Sequence, residues 1–213
     1  LNDYFLKFFA SNSTSFISPS LYQVYDIYSG NSNLEPEESS TTEFGIELFI
    51  STGARTSIQI FNRKQNPSII YNFETYKYEN STDDIEFTGI EIDYENRVLE
   101  KFNIMSSFSH IYSNKGDLRY IPKNSFKMSS DFIINNKSNI TLTMKNNSSS
   151  LRLDQNSYNK GYFILDVKYN YLFDIKNVNL FFWITNLFNK EYIEIENYST
   201  KGRNFRVGIN INI

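Results

Sequence analysis

Cysteine is absent from the chain, which removes disulfide frameworks, thiolate metal sites and cysteine nucleophiles together and leaves the redox compartment open. Histidine occurs once, at His110. No Gly-x-Ser-x-Gly elbow accompanies it, so Ser/His/Asp chemistry has nothing to run through, and a single histidine gives no support for paired axial haem ligands. His110 reads as an ordinary wall or loop-side residue, and the chain as a non-enzyme. Basic charge is also lacking: 21 Lys+Arg stand against 24 Asp+Glu, for a net charge of -3, so no nucleic acid partner is expected. No apolar run approaches the roughly 18 residues that a spanning helix needs; the longest is about Leu180 to Ile184. The chain opens Leu1-Asn2-Asp3-Tyr4 with neither an initiator Met nor a leader, so any export signal is expected upstream.

Aromatics are abundant. They make up 17% of the residues, with 19 Phe and 16 Tyr against one Trp, while mean hydropathy is -0.45. Many rings in a polar chain suit strands with one greasy and one wet face. The clearest such stretch is Asn204 to Ile213, where Phe205, Val207, Ile209, Ile211 and Ile213 alternate with Asn204, Arg206, Gly208, Asn210 and Asn212. At about 3.3 Å per residue it reaches across a hydrocarbon layer when tilted. Taken alone, the alternation equally fits a half-buried strand of a soluble sheet.

The pattern recurs upstream in about ten candidate strands: Tyr4 to Ala10, Phe44 to Ile50, Thr56 to Lys64, Ile85 to Leu99, Phe102 to Tyr112, Phe126 to Ile134, Ile140 to Met144, Phe163 to Tyr171, Val178 to Ile184 and the last one. Their connections alternate. Short turns are expected at Ser51–Arg55, Glu100–Lys101, Asn135–Asn139 and Asp174–Asn177, and long polar connections follow Ala10, Lys64, Tyr112, Met144 and Lys190. All four prolines, Pro19, Pro36, Pro67 and Pro122, fall in the long ones, where a missing N–H costs no ladder bond. Segregated loops are a feature of transmembrane barrels, with short periplasmic turns and long outer loops, and a soluble sandwich has no reason to show them. The expected fold is therefore all-β, a transmembrane antiparallel up-and-down β-barrel, with Phe182, Ile209 and Leu165 facing lipid and Trp183 facing the lumen.

Several motifs in order resemble TonB-dependent outer-membrane receptors, the transporters of cobalamin, siderophores and similar scarce ligands. They are Phe16-Ile-Ser-Pro-Ser-Leu-Tyr22, Gly30-Asn-Ser-Asn-Leu-Glu-Pro-Glu37, Thr88-Gly-Ile-Glu91, Arg119-Tyr-Ile-Pro-Lys123, Ile184-Thr-Asn-Leu-Phe-Asn-Lys-Glu-Tyr192 and Gly202-Arg-Asn-Phe-Arg-Val-Gly208. Barrels of this family have about 22 strands around a plug, so residues 1–213 are expected to be the C-terminal portion of a receptor barrel. The plug and the earlier strands are not visible in this stretch. The resemblance implies a bacterial outer-membrane location and TonB-dependent uptake of a scarce ligand such as cobalamin or an iron-siderophore. It implies no resident cofactor. Expected partners are outer-membrane lipid, the barrel-assembly machinery, the remaining strands and plug, TonB acting through that plug, and a small-molecule ligand. Arg206, Gly208, Ile211 and Ile213 resemble the signal read by the assembly machinery, although the family commonly ends in Phe. A soluble all-β carbohydrate- or ligand-binding module and a passive outer-membrane porin are the alternatives.

Among candidate sites, Glu91, Asp93 and Glu95 share one strand face. Oxygen ligands suit hard cations, but a wet lumen wall carries such carboxylates routinely. Tyr22, Tyr25, Tyr28, Tyr71, Tyr76 and Tyr78 fall in the long connections, where a stiff amphipathic ring can meet a ligand with little loss of entropy. They are the expected ligand contacts.

Overall fold

The computed structural model describes residues 4–50, 53–81, 83–98, 101–116, 118–152, 156–173 and 178–211. The first elements are β1 (Tyr4–Ile17), the short helix α1 (Leu21–Tyr25), β2 (Glu37–Ile50), β3 (Ala54–Gln65), β4 (Ser68–Asn72) and β5 (Lys77–Ser81). They are followed by β6 (Ile85–Val98), β7 (Phe102–Ser113), β8 (Asn124–Asn135), β9 (Ser138–Asn147), β10 (Ser150–Leu151) and β11 (Tyr158–Asn159). The chain finishes with β12 (Tyr162–Leu172), β13 (Val178–Thr185) and β14 (Asn204–Ile211). Ten of these strands form one antiparallel sheet in the order β1-β2-β3-β6-β7-β8-β9-β12-β13-β14. Each long strand thus pairs with the next long strand in sequence, an up-and-down meander whose outer edges are β1 and β14.

The register assigns every side chain to one of two faces, because directly opposed residues share a face. One row runs Phe8, Ile46, Ile58, Ile92, Phe108, Phe126, Asn146 and Phe163. Another runs Tyr169, Phe182 and Val207. Leu165, Phe182 and Ile209 all belong to this apolar face, as the alternation predicts. The opposite face carries Lys7, Glu47, Ser57, Asp93, Ser107, Lys127 and Lys145 in one row. Trp183 lies on this polar face between Lys168 and Arg206, with the Arg206 guanidinium 5.0 Å from its ring centroid.

The apolar face is uncovered. Phe44, Ile60, Phe132, Phe182 and Ile209 are all exposed, Ile209 to 62%. Among the described residues only Ala54, Tyr162 and Ile164 are buried apolar side chains. A soluble sandwich buries its apolar face against a second sheet. This sheet has no such core, and its apolar face is suited to lipid.

The polar face holds its charges in cross-strand contacts. Glu47 accepts from Lys7 at 3.3 Å and from Arg55 at 2.9 Å, tying three strands together. Phenylalanines on this face lie over glycines of the neighbouring strand: Phe9 over Gly45, Phe61 over Gly89 and Phe181 over Gly208. A Cβ on Gly208 would meet Phe181 Cζ at 2.5 Å. Gly208 therefore has a packing role that its place in a C-terminal motif does not reveal.

Several expected boundaries shift. β1 continues past Ala10 to Ile17, and β2 starts at Glu37 instead of near Phe44. Apolar alternation stops there, but side chains take over the pairing: Ser11 donates to Glu43 at 3.0 Å, Asn12 to Thr42 at 2.8 Å, and Ser15 and Ser39 hydroxyls meet at 2.8 Å. The long connections accordingly span 18–36, 66–84, 114–123, 148–161 and 186–203, all leaving the same rim. The second contains the β4–β5 hairpin and the fourth the β10–β11 hairpin. The strand ends Ile50 and Ala54, Val98 and Phe102, Asn135 and Ser138, and Leu172 and Val178 meet at the other rim. The turns expected at Ser51–Arg55 and Glu100–Lys101 fall partly outside the described residues, as do Leu99 and Ile213; the turn Asp174–Asn177 falls wholly outside them.

The two faces separate in a simple comparison. Ile209→Arg is expected to destabilise the assembled barrel by about 2 to 4 kcal/mol near the bilayer midplane, while Asn210→Arg, one residue on and facing the other way, changes stability little. Urea unfolding in lipid bilayers measures both. Equal losses would mean that both faces are buried.

Candidate functional site

The long connections form two clusters at one rim. In the first, Ser20 opens α1 with a capping box: its Oγ accepts from Gln23 N at 3.2 Å, and Gln23 Oε1 accepts from Ser20 N at 2.8 Å. Asp26 closes the turn, its carboxylate accepting from the Ser29 hydroxyl at 2.7 Å and the Ser29 amide at 2.8 Å. Those bonds, the hydroxyl's first, hold the Asp26 carboxyl below its ordinary range.

This segment docks on the β4–β5 hairpin. Tyr78 N donates to Ser29 O at 3.0 Å, Asn31 Nδ2 to Tyr78 O at 2.9 Å, and Glu35 and Asn80 exchange bonds of 2.8 and 3.0 Å. At the base, Ile69 N donates to Glu37 Oε1 at 2.7 Å. Connections 18–36 and 66–84 are therefore one hydrogen-bonded unit. Tyr22 and Tyr71 both meet Tyr78 edge-on, at 6.1 and 5.2 Å between centroids, and Phe73 packs on Tyr71 at 5.1 Å. Burial, followed by the neighbouring Tyr22 and Tyr71, raises the Tyr78 hydroxyl above its ordinary pKa.

Of the six tyrosines expected as ligand contacts, the structure thus brings Tyr22, Tyr71 and Tyr78 together. Tyr25, Tyr28 and Tyr76 stay outside that cluster as exposed rings, and Leu21, Ile27 and Phe73 are exposed as well. Tyr76 sits at φ 55°, in the turn between β4 and β5.

The second cluster is built on connection 186–203, and its asparagines are structural. Asn186, only 3% exposed and at φ 52°, donates through Nδ2 to Lys190 O at 2.9 Å and to Lys201 O at 3.4 Å, while its Oδ1 accepts from Lys190 N at 2.8 Å. One side chain clamps both ends of the loop. Asn189, also left-handed at φ 51°, accepts from Arg203 N at 2.8 Å. Asparagine is among the few non-glycine residues that tolerate this conformation.

Above the clamp, Glu194 reaches the polar face of the sheet. Its Oε1 accepts from Lys145 Nζ at 2.8 Å and from the Tyr162 hydroxyl at 2.5 Å. Asn147 Nδ2 donates to that same hydroxyl at 2.9 Å, and Tyr192 packs on the Tyr162 ring at 4.4 Å. The Lys145 bond, then the Tyr162 bond, hold the Glu194 carboxyl below its ordinary pKa, and burial raises Tyr192. A pocket of about 540 Å³ opens beside the loop, lined by Arg152, Asn159, Lys190, Tyr192, Glu196 and Tyr198 among others. Sequence reasoning passed over this cluster. The signal was present in Tyr192-Ile-Glu-Ile-Glu196, whose alternation puts Tyr192, Glu194 and Glu196 on one side.

The remaining candidates have structural settings. Glu91, Asp93 and Glu95 lie on the polar face opposite Gln59, Ser57 and Arg55, and among the described residues no group of three or more metal-ligating side chains forms. His110 sits at the loop end of the apolar face, its Nδ1 2.7 Å from Asn124 Oδ1. Arg206, Gly208 and Ile211 lie along the edge strand β14.

Two tests address the second cluster. Asn186→Ala leaves three backbone groups without their partner and is expected to speed trypsin cleavage at Lys190 and Lys201 on the order of tenfold or more; an unchanged rate would show that the clamp does not hold the loop. The depressed pKa of Glu194 means that its contact is complete above the ordinary glutamate pKa and is lost as pH falls through the lower folded value. Hydrogen-exchange protection factors in 190–200, taken relative to the intrinsic rate at each pH, should therefore be high at neutral pH and fall only under acid, and Glu194→Gln should abolish that dependence.

A family profile described as "TonB dependent receptor-like, beta-barrel" matches residues 1–187. Over 86 residues, 40% of this chain and 14% of the relative, the sequence is 36% identical to the vitamin B12 transporter BtuB of Vibrio cholerae. The siderophore receptor PiuA from Acinetobacter baumannii superposes with a TM-score of 0.78 at 19% identity, covering 97% of this chain and 34% of that one. The copper transporter OprC superposes with a TM-score of 0.80 at 13% identity, covering 98% and 37%. The chain thus spans about a third of the length of these solved structures and matches a smaller part of the curated relative.

Proposed function

The chain belongs to the TonB-dependent receptor family and is a fragment of its outer-membrane β-barrel, and from this premise we propose that it forms the C-terminal wall and outer loops of a receptor for TonB-dependent uptake of a scarce ligand. The observation that carries this reading is the docked pair of connections 18–36 and 66–84, a hydrogen-bonded unit presenting exposed rings at one rim of a sheet with one lipid-suited and one polar face. Rigid aromatic rings beside Ser and Asn are suited to capturing a ligand from outside, and loops held on a stable scaffold are where binding residues concentrate. In this reading the polar face is the lumen wall, β1 and β14 pair with strands of the rest of the barrel, and a plug in that lumen couples to TonB. The cargo belongs to the scarce-nutrient class, a cobalamin or a metal chelate. The exposed apolar face disfavours a soluble module. Arg206, Gly208, Ile211 and Ile213 serve the barrel-assembly machinery, the first three from the edge strand β14.

The test is made in the intact receptor on whole cells. Deleting part of 22–33 or of 71–78 is expected to lower binding of cargo at least tenfold while the barrel remains heat-modifiable on gels. Unchanged binding after both deletions would place recognition elsewhere in the receptor.

A further inference from the structure

β8 and β9 place Lys127 directly opposite Lys145 on the polar face. Like charges directly opposed on adjacent strands destabilise a sheet unless an anion lies with them. For Lys145 that anion is Glu194, brought in by connection 186–203. Its Oε1 takes both the Lys145 ammonium at 2.8 Å and the Tyr162 hydroxyl at 2.5 Å. Tyr162 is 7% exposed, and its oxygen already accepts from Asn147, so the hydroxyl proton is directed at the carboxylate. Lys145 also lies 5.4 Å from the Tyr162 ring centroid. The donors are fixed on strands; the acceptor arrives on a loop.

Two features make the acceptor exchangeable. The Lys145 and Glu194 side chains remain 39% and 47% exposed, and ion pairs that wet are weak. The loop is held at its base by Asn186 and Asn189, independently of Glu194. The arm keeps further attachments, Asn159 Nδ2 to Glu194 O at 3.2 Å, Arg152 to Glu196 at 3.8 Å and Tyr192 on the Tyr162 ring, so the Glu194 carboxylate can be displaced while the loop stays in place. Lys127 is exposed, and no ion pair engages it among the described residues.

We propose that Lys127, Lys145 and Tyr162 form a seat for a ligand bearing two or more carboxylates, and that Glu194 is a built-in placeholder which the ligand displaces. One ligand carboxylate takes the position of Glu194 between Lys145 and Tyr162. A second reaches Lys127 across the strand pair, which Glu194 alone does not satisfy. Binding then displaces the Glu194 side chain while Tyr192 stays packed beside the seat. This rests on the receptor reading and narrows its cargo to a polycarboxylate.

The experiment uses the intact receptor in detergent, with tricarballylate as the probe, and its neutral trimethyl ester and inorganic phosphate as comparators. Calorimetry should show saturable binding of tricarballylate and none of the ester, with phosphate distinguishing a carboxylate seat from a general anion seat. Lys127→Gln and Tyr162→Phe, which keep the sheet and the ring, should each weaken binding about tenfold or more. Glu194→Gln should strengthen it several-fold by removing the competitor. No binding to the wild type, stronger binding of phosphate than of tricarballylate, an effect of Lys127→Gln below twofold, or weaker binding by Glu194→Gln would each overturn the proposal and leave Glu194 as a loop anchor. A receptor that assembles and takes up cargo TonB-dependently yet ignores tricarballylate refutes the seat alone; failure to reach the outer membrane refutes the receptor reading.

Discussion

Every backbone N–H and C=O of a strand in a lipid layer has to find its partner on another strand, because no water is there to replace one. Between its edges β1 and β14 the sheet meets this requirement with long antiparallel registers, such as Tyr4–Ile17 against Glu37–Ile50 and Ala54–Gln65 against Ser39–Ile50, with one shift in β8–β9 between Ile133 and Asn135. Once register is continuous, parity follows. Each side chain is committed to lipid or to the lumen, and a slip of one residue would exchange the two faces. The lipid face can then be built from Phe, Ile, Val and Leu without a packed core.

The same constraint explains how the lumen side tolerates rings and charges. Phe9, Phe61 and Phe181 each lie over a glycine on the adjacent strand, so apolar bulk is laid against backbone instead of standing in water. Lys168 and Arg206 rest on Phe181 and Trp183. Charge is retained on a face that water reaches, at low cost. At the loop rim the solution changes: asparagines in the left-handed region and carboxylates that accept several N–H or O–H donors hold the chain where strand pairing ends. Loop structure there depends on polar bonding more than on burial.

The alternation in Phe205–Ile211 and in Phe163–Tyr171 was legible because period two is a local property of an extended chain. So were the long and short connections, the positions of all four prolines, and Trp183 on the polar side. The last stretch of β1 was not legible, since Ser11-Asn-Ser-Thr-Ser15 has no apolar period; it is a strand because Glu43, Thr42 and Ser39 stand opposite with matching acceptors and donors. The β4–β5 hairpin was hidden for a similar reason. Its Tyr71 and Tyr78 were recognised as loop rings, but their contact depends on the hairpin register.

By itself, then, the sequence determined the fold class, the two faces and the rim that carries the loops, all consequences of residue types spaced along one strand. Only the tertiary structure decided which of the six tyrosines cluster, that Asn186 clamps its loop, and that Lys145, Tyr162 and Glu194 converge with Lys127 opposite Lys145. Tyr22 and Tyr78, Lys145 and Glu194, and Tyr162 and Glu194 stand 56, 49 and 32 positions apart, across strand pairings whose register no local pattern encodes. A carboxylate in a loop reads as solvated surface until the sheet beneath it is built and a cation and a hydroxyl are found on its face.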